Sequence, residues 1–210
     1  MKLLIGQPKF EVGVNQLRKD LEQFFEQTLD LVIYPEGYFD SEAALKEARL
    51  LAKEYSISIV SSVRKNGKDI AIAINSNGEL VYFREKTEAD NQSCLRMPLV
   101  FSLEGRDIGY LLCMEILKGI RDFPKVTNMD LIVHPIGVGM FSEEQLNEWV
   151  TEAKKIAIKN KCFIIGTSHA DGSYKNCGYS IPIAYCFDQN GDEIFLQTNK
   201  VTSKIVEITC

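Results

Sequence analysis

Two short runs in this chain, Leu31-Val32-Ile33-Tyr34 and Leu131-Ile132-Val133, are apolar at every position and lead into a proline. A strand with one wet face alternates polar and apolar side chains, so an unbroken apolar run belongs to a strand covered on both faces. Such a sheet needs a layer on each side, and stretches of helical periodicity lie between the strand-like runs to supply it. Val14, Leu17, Leu21, Phe24 and Phe25 predict one helix from about Val14 to Leu29. Ala44, Leu45, Ala48, Leu51 and Ala52 predict a second, capped by Asp40 and running to about Tyr55. This alternation makes the chain an α/β protein.

The sheets cannot be purely parallel. Ile57–Val63, Ile70–Ile74 and Leu80–Phe83 are separated by Asn66-Gly67 and Asn77-Gly78, dipeptides of tight hairpins, which predict an antiparallel meander. Leu3–Ile5 reads as a first strand, and Leu99–Leu103 turns at Glu104-Gly105 into Asp107–Leu112. His134-Pro135 is expected to stop the strand at Val133. Ser142 and Gln145 form a capping box for a helix whose stripe is Leu146, Trp149, Val150, Ala153, Ile156 and Ala157. Cys162–Thr167, Ser180–Phe187, Glu193–Leu196 and an edge segment Lys204–Ile208 complete the strands. With no linker, low-complexity tract or solenoid-period repeat, residues 1–210 read as one domain.

Composition excludes several function classes. Hydrophobic residues at 45% and charged residues at 25% are globular values, which argues against disorder. A formal net charge of −5 with no basic block argues against nucleic acid as a partner. No segment has the length of a membrane span, and the apolar start Leu3-Leu4-Ile5 is too short for a signal peptide. Cysteines at 94, 113, 162, 177, 186 and 210 show no C-x-x-C spacing, so a reducing cytoplasm with free thiols is the expectation.

Three strand-like segments each run into a reactive side chain: Glu36 after Leu31–Pro35, Lys86 after Leu80–Glu85, and Cys113 after Ile108–Leu112. Taken singly, a cysteine usually packs and a strand-end Glu or Lys is usually solvated. His134 and His169, the only histidines, also follow apolar strands, which leaves a Cys–His hydrolase open. The cysteines and histidines lack zinc-ligand spacing, so no metal is expected. Cys162, Cys186 and Trp149 read as core.

The segments Val32–Phe39, Tyr82–Thr87 and Gly109–Glu115 resemble, in order and approximate spacing, the signatures of the nitrilase or carbon–nitrogen hydrolase superfamily. Trp149–Phe163 is similar to that family's late helix and following strand, and Gly178–Gly191 to a later hairpin. The resemblance implies a four-layer α-β-β-α sandwich with mixed sheets, a homodimer and no cofactor. It implies Glu36 as general base, Lys86 as electrostatic stabiliser and Cys113 as nucleophile, with the Met114 N–H as an oxyanion donor. The chemistry is consistent: a thiol mostly protonated at neutral pH needs a base beside it, and attack on an amide carbon builds negative charge that a cation can hold. The implied activity is hydrolysis of a non-peptide C–N bond, most simply the amide of a small metabolite, through a thioester. Tyr38, Glu115 and His134 are candidates for lining the substrate site.

The chain departs from the family pattern in places. Glu88 stands where relatives usually have a histidine, and Leu117–Ile120 replaces the usual Arg-Phe-Pro-Glu. The second active-site glutamate of many relatives has only Glu88 or Asp90 as counterparts, and the C-terminal extension of many members is expected to be missing. These departures motivate an alternative of another class, a non-catalytic ligand-binding or scaffold protein with the same fold.

Overall fold

The computed structural model describes residues 1–90, 92–124 and 129–209. Its first half runs β1 (Lys2–Ile5), α1 (Asn15–Gln23), β2 (Leu31–Ile33), α2 (Glu42–Glu54), β3 (Ser58–Lys65), β4 (Lys68–Ile74) and β5 (Leu80–Glu85). After β6 (Val100–Leu103), the second half runs β7 (Arg106–Tyr110), α3 (Ile116–Asp122), β8 (Leu131–Pro135), α4 (Glu143–Asn160), β9 (Phe163–Thr167), β10 (Ile183–Phe187) and β11 (Glu193–Thr198). β12 (Lys204–Glu207) then returns to the first half.

Two six-stranded sheets result, ordered β12-β1-β2-β3-β4-β5 and β11-β10-β9-β8-β7-β6. In each, three central strands are parallel (β1-β2-β3 and β7-β8-β9) and the outer strands antiparallel. The hairpins at Asn66-Gly67 and Asn77-Gly78 form the expected meander β3-β4-β5, with both glycines at positive φ.

Three separate apolar cores define four layers. Leu3, Ile33, Val60 and Tyr82 from one sheet meet Ile108, Tyr110, Val133 and Ile165 from the other between the sheets. Outside the first sheet, Leu17, Leu21, Ala48 and Leu51 of the helices cover Val32, Ile59 and Ile72. Outside the second, Trp149, Ala153 and Ile156 cover Ile132 and Ile164. The α-β-β-α sandwich implied by the resemblance is the architecture, and β2 and β8 are buried at every residue, as unbroken apolar runs require.

Several local expectations need correction. α1 ends at Gln23, and a short 3-10 turn at Phe25–Gln27 leaves Phe25 exposed against Tyr55. The cap of α2 is Ser41, whose Oγ accepts the Ala44 N–H, while Asp40 accepts from Ser41 itself. Only half of the capping box at α4 forms: Ser142 Oγ accepts the Gln145 N–H, but the Gln145 side chain accepts from Phe141. β8 continues through His134-Pro135, paired only with β9 there because β7 ends at Tyr110. Pro135 therefore lacks a donor only on a side where no strand asks for one. Among the described residues no helix is long and apolar enough to cross a membrane.

Candidate active site

β2, β5 and β7 all point their C-terminal ends to the same rim of the sandwich. Pro35 ends the extended chain after β2, and Gly37 at φ +71° turns it, leaving Glu36 buried at 1% exposure. Lys86 follows β5 directly, its backbone N–H donating to the Asp69 carbonyl at 3.0 Å. Lys86 Nζ reaches Glu36 Oε1 at 2.5 Å. Cys113 sits at φ +54°, a sparsely populated conformation for a residue with a side chain, in the abrupt turn between β7 and α3. Its thiol lies where the Glu36 carboxylate and the Gly137 N–H both act on its protonation. The carboxylate, ammonium and thiol are thus in one cluster, the first two from one sheet and the third from the other.

The electrostatics of the cluster are those of a buried ion pair with a neutral thiol beside it. Burial pushes the Glu36 carboxyl up from its ordinary value, with Lys86 opposing the rise and the Asp69 charge adding to it. Burial disfavours the charge on Lys86, but the acidic groups around it hold its pKa above the usual lysine range. Burial, then the Glu36 charge, pushes the Cys113 thiol up to about 12, with Lys86 and the Gly137 N–H pulling the other way. At rest the sulfur keeps its proton, and the group that can take it is Glu36.

The remaining sequence candidates divide. Met114 immediately follows Cys113, so its N–H belongs to the same turn. Glu115 does not face the cluster as a free carboxylate: it accepts Arg84 Nη1 and Nη2 at 2.8 and 2.7 Å, the Thr87 N–H at 2.7 Å and the Leu112 N–H at 2.7 Å. With four donors on two oxygens it is a fastener between the end of β5 and the turn after β7. Tyr38 is likewise turned away, its hydroxyl donating to Glu11 at 2.7 Å and accepting the Leu17 N–H at 2.9 Å. His134 reaches Cys113 only at the backbone, Nε2 donating to its carbonyl at 2.8 Å, while Nδ1 meets the Tyr185 hydroxyl. That carbonyl cannot donate, which fixes the proton on Nε2.

His169 is fully buried, stacked on Tyr174 at 4.9 Å, with Nε2 donating to the Glu36 carbonyl at 3.1 Å. Burial lowers both histidines to about 4. Neither has a ring nitrogen aimed at the sulfur, and a Cys–His arrangement has no geometric support here. Glu88 pairs with Arg96 at 3.1 Å and Asp90 caps its own loop through Ser93, both outside the cluster. Cys162 and Cys186 are buried and Cys94 and Cys177 exposed; Cys210 lies outside the described residues. Among the described residues no three His, Cys, Asp or Glu side chains gather as metal ligands.

Sequence reasoning missed Gly137, Tyr174, Lys175 and Asp69, which complete the surroundings. The Tyr174 hydroxyl and Lys175 Nζ donate to the Asp69 carboxylate at 3.0 and 2.6 Å. A Cβ on Gly137 would lie 2.5 Å from Glu36 Oε2 and 2.6 Å from the Tyr174 ring, so only glycine lets the backbone approach the cluster. Tyr174 and Lys175 are more than one hundred residues from Asp69 along the chain, beyond the reach of local pattern.

Solved structures share this architecture over the whole chain. An amidase of the nitrilase superfamily from Nesterenkonia aligns with a TM-score of 0.81 at 15% identity, covering 100% of this chain and 92% of the other. The protein XC1258 from Xanthomonas campestris, a CN-hydrolase superfamily member with an arsenic adduct in its active site, aligns at 0.74 and 17% identity, covering 100% and 90%. A carbon–nitrogen hydrolase from Helicobacter pylori aligns at 0.76 and 14% identity, covering 97% and 87%. The chain has the nitrilase-superfamily fold. No family profile and no curated protein matches its sequence. Within the nitrilase fold, the cluster of Glu36, Lys86 and Cys113 lies at the C-terminal rim of the strands, where side chains from separate elements converge.

Proposed function

We propose that this protein hydrolyses the C–N bond of a small amide through a thioester on Cys113. The observation that carries the reading is the shared carboxylate: Glu36 holds Lys86 Nζ at 2.5 Å, and its charge acts directly on the Cys113 thiol. As sulfur attacks the carbonyl carbon, the thiol proton passes to Glu36, and the thiol's high resting pKa makes this transfer part of the attack. The carbonyl electrons move to oxygen, where Lys86 and the Met114 N–H stabilise the negative charge. Glu36 then returns the proton to the departing nitrogen, and the C–N bond breaks to leave the thioester. A water that gives its proton to Glu36 hydrolyses the thioester, releasing the acid and restoring the thiol. Glu36 at 1% exposure and the Lys86 side chain at 20% leave little of the cluster open to solvent, which favours a small substrate.

A panel of small amides, nitriles and N-carbamoyl compounds tests this by ammonia release. At least one amide should be turned over, with an acyl adduct on Cys113 visible in the intact mass. Cys113→Ala should abolish release with little change in thermal stability, and Glu36→Gln should lower it by about a hundredfold or more. Release that survives Cys113→Ala rejects the mechanism. A panel yielding neither ammonia nor adduct favours the ligand-binding alternative.

A further inference from the structure

Asp69 is a buried charge that the reaction above leaves without a role. It lies near the start of β4, 6% exposed, with Tyr174 and Lys175 on its carboxylate and Arg64 Nη1 at 3.6 Å. Its own carbonyl accepts the Lys86 N–H at 3.0 Å. Tyr174 lies against Gly37 and Gly137 on either side of Glu36, and carries His169 stacked on its ring. His169 in turn donates to the Glu36 carbonyl, and its own N–H donates to the Gly137 carbonyl at 3.3 Å. One residue therefore braces the backbone of Lys86 through its own carbonyl and, with its carboxylate on Tyr174, the surroundings of Glu36 and Gly137.

We propose that Asp69 is a positioning residue for the hydrolysis proposed above, holding Glu36 and Lys86 in register and keeping Glu36 basic through its charge. The inference rests on that reading of the site. The charges facing Glu36 are Lys86 from the end of β5, Asp69 from β4 and Lys175 from the turn at Tyr174–Asn176. The Cys113 thiol, the Tyr174 hydroxyl and the His169 ring face it as neutral groups. Of the charged groups only Asp69 shares the sign of Glu36. Without it, Lys175 loses its partner and Glu36 faces two cations unopposed, which makes it a weaker base. The Lys175 pairing also holds Asp69 below the ordinary carboxylate range despite its burial, so the charge is present at neutral pH.

The test follows alkylation of Cys113 by iodoacetamide as a function of pH, with mass mapping of the labelled thiol and the melting temperature of each variant. In the parent protein the rate should rise with pH along an acid limb that Glu36→Gln removes. Asp69→Asn should move the midpoint of that limb down by about one pH unit and lower the plateau roughly tenfold. Tyr174→Phe keeps the charge and cuts the tether, so the plateau should fall while the midpoint stays. Asp69→Glu should restore the midpoint. An Asp69→Asn protein that melts lower but keeps the parental midpoint and plateau marks Asp69 as merely structural and overturns the inference. Should that variant fail to fold, a Tyr174→Phe protein with the parental plateau overturns it instead. Alkylation indifferent to Glu36→Gln in the parent chain sinks the hydrolase reading, and this inference with it.

Discussion

At Gly137 one methyl group is more than the cluster has room for. A side chain there meets Glu36 Oε2 at 2.5 Å and the Tyr174 ring at 2.6 Å, both held by neighbours that cannot retreat freely. Gly137→Ala should displace the Glu36 carboxylate and lower the turnover of the hydrolysis proposed above by about a hundredfold, since small misplacements of reacting groups carry that cost. Circular dichroism should show the fold intact; parental turnover would mean that the carboxylate can move aside without consequence. Residues at the ends of apolar strands were legible in the sequence, because a strand delivers its last side chain to a known rim. Glu36, Lys86 and Cys113 all belong to this class. Asp69 and Gly137 did not announce themselves: an acidic residue after an Asn-Gly turn reads as solvated, and its burial depends on Tyr174 and Lys175 folding over it. The roles first given to Tyr38 and Glu115 came from adjacency along the chain, which does not say where a side chain points.

Between elements, the Arg84–Glu115 pair is the main polar joint, both side chains at 2% exposure. It ties β5, which carries Lys86, to the turn that carries Cys113. Removing one partner leaves the other charge buried and uncompensated, so Glu115→Leu should destabilise the protein by about 3–5 kcal/mol in denaturant titration. A loss under about 1 kcal/mol would show that water or a neighbouring group replaces the pair. Burial alone would raise the Glu115 carboxyl, but Arg84 outweighs it and holds the group below its ordinary value. The pair's contribution is therefore complete above the unfolded carboxylate pKa of about 4.3 and fades as pH falls through the lower folded value. Helix interiors and hairpins were readable at this scale because periodicity and Asn-Gly turns are local signals. Helix ends were less so: Ser41 rather than Asp40 caps α2, and α1 stops short although its apolar spacing continues to Phe25, which the fold leaves exposed.

For the whole molecule, the chain repeats one connection twice, β1-α1-β2-α2-β3-β4-β5 and β7-α3-β8-α4-β9-β10-β11, each building most of a six-stranded sheet. This duplication was invisible in the sequence, since the halves share a burial pattern and not a residue pattern. The sandwich buries both histidines as neutral rings, which sets a global acid sensitivity. Their folded values of about 4 lie below the unfolded value of about 6.5, so the unfolded chain takes up protons first as pH falls. Stability should be complete above about pH 6.5 and decline towards pH 4, by up to roughly 3 kcal/mol for each ring. Glu36, raised by burial, opposes this with one group against two. Melting temperatures measured at pH 7 and pH 5 check the sign: a lower value at pH 5 is expected, and an equal or higher one contradicts it.

Because β2 and β5 belong to one sheet and β7 to the other, the Cys113 sulfur and the Glu36 carboxylate beside it are mounted on opposite slabs of the sandwich. Neither slab could assemble the cluster alone, however well folded. A small slip between them would silence the thiol while every helix and strand survived, so the reactivity of this one atom measures how squarely the two slabs are seated.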